Sequence, residues 1–484
     1  MKKSIYTLIL LLLYTITICQ AQEKWDLRRC VDYAIANNIS IKQSDIQAKI
    51  SQIQYKEAKL SQYPDANFAT DGAFNSGNNQ DPTTYALITQ SYLSAGLQFQ
   101  ATDNIFNWYS KQNSIMASRW EADAAKATVD KLKNDIVLSV ANAYLQILLS
   151  KAQENIAQLQ LQLSEAQWNN TKKLVAAGSL PELNASELEA QVATDTATYI
   201  NAKGNVDLNI LVLKSYMNID ASASFDIDSP PAELIPVESL ADLQPEDVYN
   251  QAIVNLPQER VNDLNVKAAQ KNTAAAKAAM YPTIQAFGTL NSSYLDYKTP
   301  EYQQNIVGYA PIPGLRVDAG GGNFYDVQEQ VVTNGDKTGY LKSDAFGTQL
   351  SDNFRQSVGL NLTVPIFSGW SLHGTYEQSK LNTRNLELKK DLDNETLKQN
   401  IYQAYTAAIV ALEKFNASKK TVDASQRTFD FTQKRYDVGM IGTFELITNQ
   451  NNLFRAKLQY VQDQFDYVFK MKVLEYYKGQ GLKL

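Results

Sequence analysis

Two periods of hydrophobic and polar residues take turns along this chain. Ile136, Val137, Val140, Ala143, Tyr144, Ile147 and Leu148 recur at the three-and-four spacing of one helical stripe, and Asp135, Ser139, Asn142 and Gln146 fill the other face. Such tracts predict helices near 26–62, from about 108 to 176, and near 181–217. The middle one would span on the order of 100 Å at ~1.5 Å per residue, and the flanking ones roughly half of that each. Helices this long, with few hydrophobes per turn, must pack against neighbours to be stable. Elsewhere the period is two. Leu93, Ala95, Leu97, Phe99 and Ala101 alternate with Ser94, Gly96, Gln98, Gln100 and Thr102. Val358, Leu360, Leu362, Val364 and Ile366 alternate with Ser357, Gly359, Asn361, Thr363 and Pro365. Each is a strand with one apolar face and one face of small or polar residues. At about ten residues, each is long enough to cross an outer membrane when tilted. A soluble sheet with one wet face alternates in the same way, so alternation alone does not decide between them. The strands after Tyr63-Pro64 and Tyr281-Pro282 alternate less cleanly, and Phe287 falls on the polar face. Tyr63, Trp108, Tyr109, Tyr281 and Trp370 stand near strand ends, where interfacial aromatics belong.

The order helix, strand, strand, very long helix, glycine turn, helix is written twice. Ala34-Ile35 matches Ala252-Ile253, and Tyr63-Pro64 matches Tyr281-Pro282, both at a spacing of 218. Phe106 matches Phe367, Tyr144 matches Tyr405 and Gly178 matches Gly439, all at 261. Chance similarity between Ala- and Gln-rich helices does not keep one spacing across strands, Tyr-Pro pairs and glycine turns. A first repeat is therefore expected over 22–217, with strands about 63–75 and 91–103. A second is expected over 245–484, with strands about 281–294 and 355–367. The Pro- and Ser-containing stretch 218–244 links them. The change of spacing places an insertion at about 295–353, read as an enlarged loop. Gly320 to Gly322 within it resemble a phosphate cradle only superficially, because no Lys-Ser/Thr pair and no clear helix start follow.

Composition narrows the function. The chain has 484 residues, 44% hydrophobic and 20% charged, as a folded protein does; its net charge of −6 argues against a nucleic-acid binder. "MKK", the apolar run Ile5 to Ile18 and the small Ala21 read as a cleaved signal peptide over 1–21, which implies export. Cys19 suggests a lipoprotein cysteine as the alternative, but Ile18 before it is large where such a site prefers a small residue. Cys30 then stands alone, so no disulfide framework is expected, and burial on the first helix is its plainer reading. No later segment approaches 18 unbroken apolar residues, which argues against membrane-spanning helices. One histidine, His373, and acids scattered over helical faces supply neither metal spacing nor a catalytic constellation. No enzyme activity, cofactor or metal is expected.

Export and duplication favour the membrane reading of the strands, and their number then matters. One chain supplies four, and an open sheet cannot span lipid because its edge groups would go unpaired. Two chains would give an eight-stranded barrel filled by its own side chains, whereas three would give twelve strands and a lumen. Small polar inward faces suit a lumen, so a homotrimer is the economical expectation, with the long helices continuing the tube.

These residues resemble the TolC-like outer-membrane efflux protein family. The resemblance covers nearly all of the expected mature chain. It is carried by the tandem order, by "GLNLTVPIFSGW" (Gly359 to Trp370), and by "RYDVGMIGTFEL" with its partner "LVAAGSLPELNASEL". It implies a mainly α fold with transmembrane β-strands: a trimeric 12-stranded β-barrel in the outer membrane of a Gram-negative bacterium, continued by a long periplasmic α-helical barrel. The 218–244 linker would belong to an equatorial belt, and the insertion would be extracellular. A periplasmic adaptor and an inner-membrane pump are the implied partners, and small molecules or drugs would be conducted passively. A protein-secretion duct of the same architecture is the near alternative. A non-conducting trimeric surface protein or adhesin is the alternative from another class.

The turns are the candidate functional residues. Ser179 and Glu182 are spaced as a capping box, with Pro181 at a helix start. Gly439 suits a left-handed helix end, Thr443 an N-cap and Glu445 a first turn. Each turn joins two antiparallel helices and so forms a hairpin tip. The resemblance makes these tips the periplasmic mouth, with Gly178, Val438, Gly439 and Gly442 as adaptor contacts. Glu445 near a helix N-terminus is favoured by the dipole in any case. A threefold axis would also gather three copies into a carboxylate ring that selects cations. Family members often carry two aspartates here; aligned on Gly439 they fall on Glu445 and Thr448, and the first-copy acid falls on Asn184. Asn184, Glu445 and Thr448 are thus the gate candidates, with one acid retained.

Overall fold

The computed structural model describes residues 24–80, 87–231, 234–296 and 298–479. The expected signal peptide and Cys19 lie outside the described residues. The fold is mainly helical with antiparallel strands. The chain divides into two compact units, one within Met1–Lys56, Asn113–Ala274 and Thr375–Leu484, the other within Glu57–Gln112 and Ala275–Gly374. Among the described residues no helix is long and apolar enough to cross a membrane.

In chain order the helices are α1 (Leu27–Asn37), α2 (Ile39–Leu60), α3 (Ser110–Ala176), α4 (Glu182–Met217), α5 (Pro245–Asn255), α6 (Pro257–Ala278), α7 (Phe346–Asp352), α8 (Ser371–Asp437) and α9 (Thr443–Tyr477). The α3 and α8 helices have 67 residues each. Asp26 caps α1 by accepting from the Arg29 N–H at 2.7 Å. Asn38 separates α1 from α2, caps α2 through the Ser40 and Ile41 N–H groups, and donates to the Tyr216 carbonyl at 2.7 Å.

The α3 stripe does what its spacing predicts. Val140, Ala143, Tyr144, Ile147 and Leu148 are buried with Cys30, Leu213, Met217, Phe465 and Val468, and Ile136 and Val137 pack at the margin. Each large aliphatic side chain buried there contributes about 1.5–3 kcal/mol. Cys30 is fully enclosed, and burial, followed by the nearby Asp26 carboxylate, raises its thiol pKa to about 12.

The linker is pinned rather than loose. Its Ile227 pairs with Trp25 in a parallel bridge and is fully buried, as is Leu243. The Tyr144 hydroxyl donates to the Asp228 carbonyl at 2.6 Å, and Lys151 meets Asp226 at 2.6 Å. Further along, Lys478 pairs with Glu238 at 3.0 Å.

The second unit holds two sheets. Strands β1 (Asp65–Gln80), β2 (Leu87–Phe106), β3 (Thr283–Asp296) and β6 (Arg355–Thr363) form an antiparallel sheet in the order β1-β2-β3-β6. The first two run further than alternation alone predicts, because pairing continues from Asn75–Tyr92 out to Gln80–Leu87. The last stops short of the expected Phe367, since Pro365 has no N–H to give to a ladder.

Register puts Phe68 opposite Phe99, Phe74 opposite Leu93, and Phe99 opposite Leu290 on one face. That face is open: Val358 is 89% and Leu360 69% exposed. The other face brings Asp71 over Gly96 and Phe287 over Gly359. A Cβ on Gly359 would meet the Phe287 ring at 2.6 Å, so glycine is what lets an aromatic lie on the small-residue face.

The inserted segment is not an irregular loop. It forms a two-stranded antiparallel ribbon, β4 (Thr299–Asp318) and β5 (Phe324–Leu341), closed by Gly320, Gly321 and Gly322 at φ 87°, 68° and 89°. Their left-handed backbone, which glycine adopts freely, accounts for the triplet without a phosphate site. The α7 helix then fastens the returning chain to β3, with Ser292 donating to the Leu350 carbonyl at 2.7 Å and Tyr294 edge-on to Phe346. The predicted interfacial aromatics sit at strand-to-helix junctions. Trp108, Tyr109 and Trp370 take positive φ there, and Trp108 packs on Tyr281 with ring centroids 5.1 Å apart.

Candidate functional site: the two helical hairpin tips

Both tips close in the same way. At the end of α3 Gly178 has φ 70°, its N–H bonds the Val175 carbonyl, and the Ser179 N–H bonds that of Leu174, each at 2.9 Å. At the end of α8 Gly439 has φ 73°, its N–H bonds Tyr436 at 2.8 Å, and the Met440 N–H bonds Arg435 at 2.9 Å. This double closure satisfies carbonyls that a helix end leaves without partners, and its left-handed residue is ordinarily glycine.

The closure also corrects the capping residues. Ser179 completes the end of α3 through its backbone N–H, two residues before the cap of α4. The N-cap of α4 is Pro181, without a side-chain bond, and Glu182 is the first helical residue. The N-cap of α9 is Gly442, and Thr443 falls one position inside the helix. Thr443 is buried, and its Oγ1 has no hydrogen-bond partner among the described residues.

Glu445 lies in the first turn of α9, as expected. It is half exposed and accepts from an Arg435 guanidinium nitrogen at 3.4 Å. Thr448 is three residues on, exposed, and donates to the Phe444 carbonyl at 2.7 Å. Glu445 and Thr448 therefore share a helix face. Asn184 is half-buried in the other hairpin, and no hydrogen bond among the described residues joins it to Glu445 or Thr448. A Cβ on Gly178, Gly439 or Gly442 would meet nothing within 4 Å, so all three border open space. Val438 is 70% exposed, and beside it Met440 and Phe444 are 71% and 76% exposed. Sequence reading named Val438 and passed over the other two.

Behind the tips the hairpins are tied by polar side chains. The Gln167 amide donates to Gln433 at 3.0 Å, and the Thr171 and Tyr436 hydroxyls meet at 3.2 Å. Asp195, 4% exposed, accepts from Ser164, from Gln160 at 3.3 Å and from Gln191 at 2.9 Å. Gln450 of α9 donates to Ser164 at 2.9 Å, and Asn451 exchanges bonds with Gln191 at 3.2 Å. The network joins α3, α4 and α9 through neutral donors. Its signal in the sequence was the run Gln160, Ser164, Gln167 and Thr171, polar residues at the spacing that core positions normally occupy. An apolar cluster of Phe429, Leu446 and Leu453, flanked by Leu163 and Tyr436, packs among these ties.

The sequence profile of the outer membrane efflux proteins matches residues 30–218 and 248–469. The chain belongs to that family. Over 437 residues it is 19% identical to the outer membrane efflux protein BepC of Brucella suis, covering 90% of this chain and 81% of that one. Over 269 residues it is 23% identical to the probable outer membrane lipoprotein SilC of Salmonella typhimurium, 55% of each chain. The fold matches the crystal structure of CusC with a TM-score of 0.74 at 15% identity, covering 94% and 92% of the two chains. It matches the Campylobacter jejuni CmeC outer membrane channel with a TM-score of 0.72 at 15% identity, covering 94% and 86%. As a member of that family the chain is an outer-membrane efflux protein of TolC-like fold, the fold it shares with the CusC and CmeC channels.

Proposed function

We propose that three copies assemble into one duct of a tripartite efflux system. The observation that carries this reading is the four-stranded sheet. Its outer strands β1 and β6 each have an unpaired edge among the described residues, and one face is apolar and open. Such a sheet is stable in lipid only when its edges are closed. Twelve strands from three chains close it around a lumen lined by the small and polar face. The two tandem halves supply the helices of a periplasmic barrel, and the pinned linker forms its belt. The tips form the inner mouth, where Gly178, Val438, Gly439 and Gly442 border the surface that meets an adaptor coupled to an inner-membrane pump. Glu445, with Thr448 and Asn184 nearby in the assembled mouth, sets its ion preference. Cargo passes without chemistry on this chain, after export directed by residues 1–21.

Planar-bilayer recording of the purified protein tests this. A variant with Thr171→Val and Tyr436→Phe, which unties the two hairpins at the tip, should conduct more than the parent. In that background Glu445→Ala should lower cation preference in the reversal potential. A correctly folded protein that carries no current in either form would refute the duct and favour a structural surface role.

A further inference from the structure

A cavity of about 550 Å³ lies where the β4–β5 ribbon leaves the sheet. One wall is apolar. Phe74 and Leu93, paired across β1 and β2, stand on the same face as Phe68 and Phe99. The opposite wall comes from the root of the ribbon. There Lys337 sits 3.6 Å and Lys298 5.9 Å from the centre of the Tyr340 ring, so two ammonium groups approach one aromatic ring. The cavity lies toward the β1–β2 hairpin, beyond the half of the sheet that holds Asp65 and Phe106.

We propose that this cavity binds the phosphorylated headgroup of a lipid in the leaflet that meets this end of the sheet. The inference rests on the reading that the apolar sheet face contacts lipid. A free anion would gain nothing from Phe74 and Leu93, and an uncharged lipid would gain nothing from two lysines. An amphiphile with a phosphate matches both walls. The ammonium groups supply charge-assisted hydrogen bonds, and the acyl chains continue along the face that holds Phe68 and Phe99. Asp296, paired with Leu93, adds a carboxylate to the cavity and opposes the phosphate. That gives the electrostatics a sign that can be checked.

The test is native mass spectrometry of the full-length protein in neutral detergent. It would be titrated with diphosphorylated lipid A, with diacylglycerol, and with lipid A against millimolar inorganic phosphate. Near a membrane surface each lysine is expected to contribute about fivefold in affinity. The Lys298→Gln, Lys337→Gln double variant should therefore bind lipid A roughly 30-fold more weakly, a Lys337→Arg variant should retain binding, and Asp296→Asn should tighten it. Equal lipid A binding by the double variant, equal binding of diacylglycerol, or displacement by inorganic phosphate would overturn the proposal. Flotation with lipid vesicles separates the two readings. Wild-type protein that fails to float removes the lipid-facing sheet and this site together, whereas protein that floats without lipid A preference removes only the site.

Discussion

Replacing Glu475 with alanine should free the linker from the helical unit. The Lys472 ammonium and the Glu475 carboxylate are 2.8 Å apart, with side chains only 4% and 2% exposed. The other carboxylate oxygen accepts from the backbone N–H of Glu238, in the linker, at 3.1 Å. Removing one partner of a buried pair costs up to about 3–5 kcal/mol, because the other charge stays out of water and loses its closest carboxylate. The Glu238 N–H also loses a charged acceptor, and that loss is part of the same figure. Hydrogen exchange at amides 237–243, timed by mass spectrometry, reads the local opening directly. Exchange there should speed up by roughly a hundredfold to several thousandfold, at about tenfold per 1.4 kcal/mol. The double variant Lys472→Met, Glu475→Leu removes both charges and fills the space, leaving chiefly the orphaned Glu238 N–H at about 1–3 kcal/mol. It should be more protected than the single variant. A single variant with unchanged exchange, or a double variant worse than the single, would refute the idea that the buried pair clamps the linker.

The buried thiol gives a pH dependence with a definite sign. Burial pushes the folded Cys30 pKa up to about 12, above its ordinary value of 9.0. The folded form therefore holds its proton where the unfolded form has lost it, and stability is unaffected below pH 9 and falls between pH 9 and about 12. The slope approaches ~1.4 kcal/mol per pH unit within that window. Unfolding of wild type and Cys30→Ala compared at pH 8 and pH 10.5 should show the wild type losing more, and parallel curves would contradict it. At the second tip Gly439→Ala should loosen the turn by about 1–2 kcal/mol, a cost of left-handed backbone alone because the added methyl meets open space. Gly439→Asn should recover part of it. Exchange rates across residues 436–446 would check both, and an alanine variant as protected as wild type would mean that φ at this position is free to change.

The parts of the fold legible in sequence were those set by a repeated local rule. The α3 stripe from Ile136 to Leu148 and the alternation from Leu93 to Ala101 each follow from one period, and burial or register agrees with them. Gly178 and Gly439 were legible because a left-handed closure almost demands glycine. What escaped was decided by contacts between distant segments. The N-caps slipped: α4 starts at Glu182 behind Pro181, and α9 starts at Thr443 behind Gly442. The Asp195 network joins residues far apart in the chain, and its polar donors on α3 look like a surface stripe until α9 covers them. The ribbon β4–β5 was missed because its prolines, glycines and charges break the alternation, as its register shifts show.

The gate candidate is the place where this difference matters most. Sequence alone presents Glu445 as an acid near a helix N-terminus that a threefold axis would gather into a ring. The structure adds Arg435 of the same hairpin at 3.4 Å, with both side chains about half exposed. A pair that exposed is worth about 0–1 kcal/mol, little more than thermal energy. Arg435 therefore does not lock Glu445 away. In the paired state it offsets the carboxylate's charge locally, and it leaves the carboxylate available when the guanidinium turns into solvent. In a threefold mouth the three tips would pass between a nearly neutral ring and an acidic one at small cost. The buried Asp195 network behind them has no such freedom, because its acceptors would be left without water or partners. Stiffness is thus concentrated in the buried ties between helices, and adjustable charge is left at the rim.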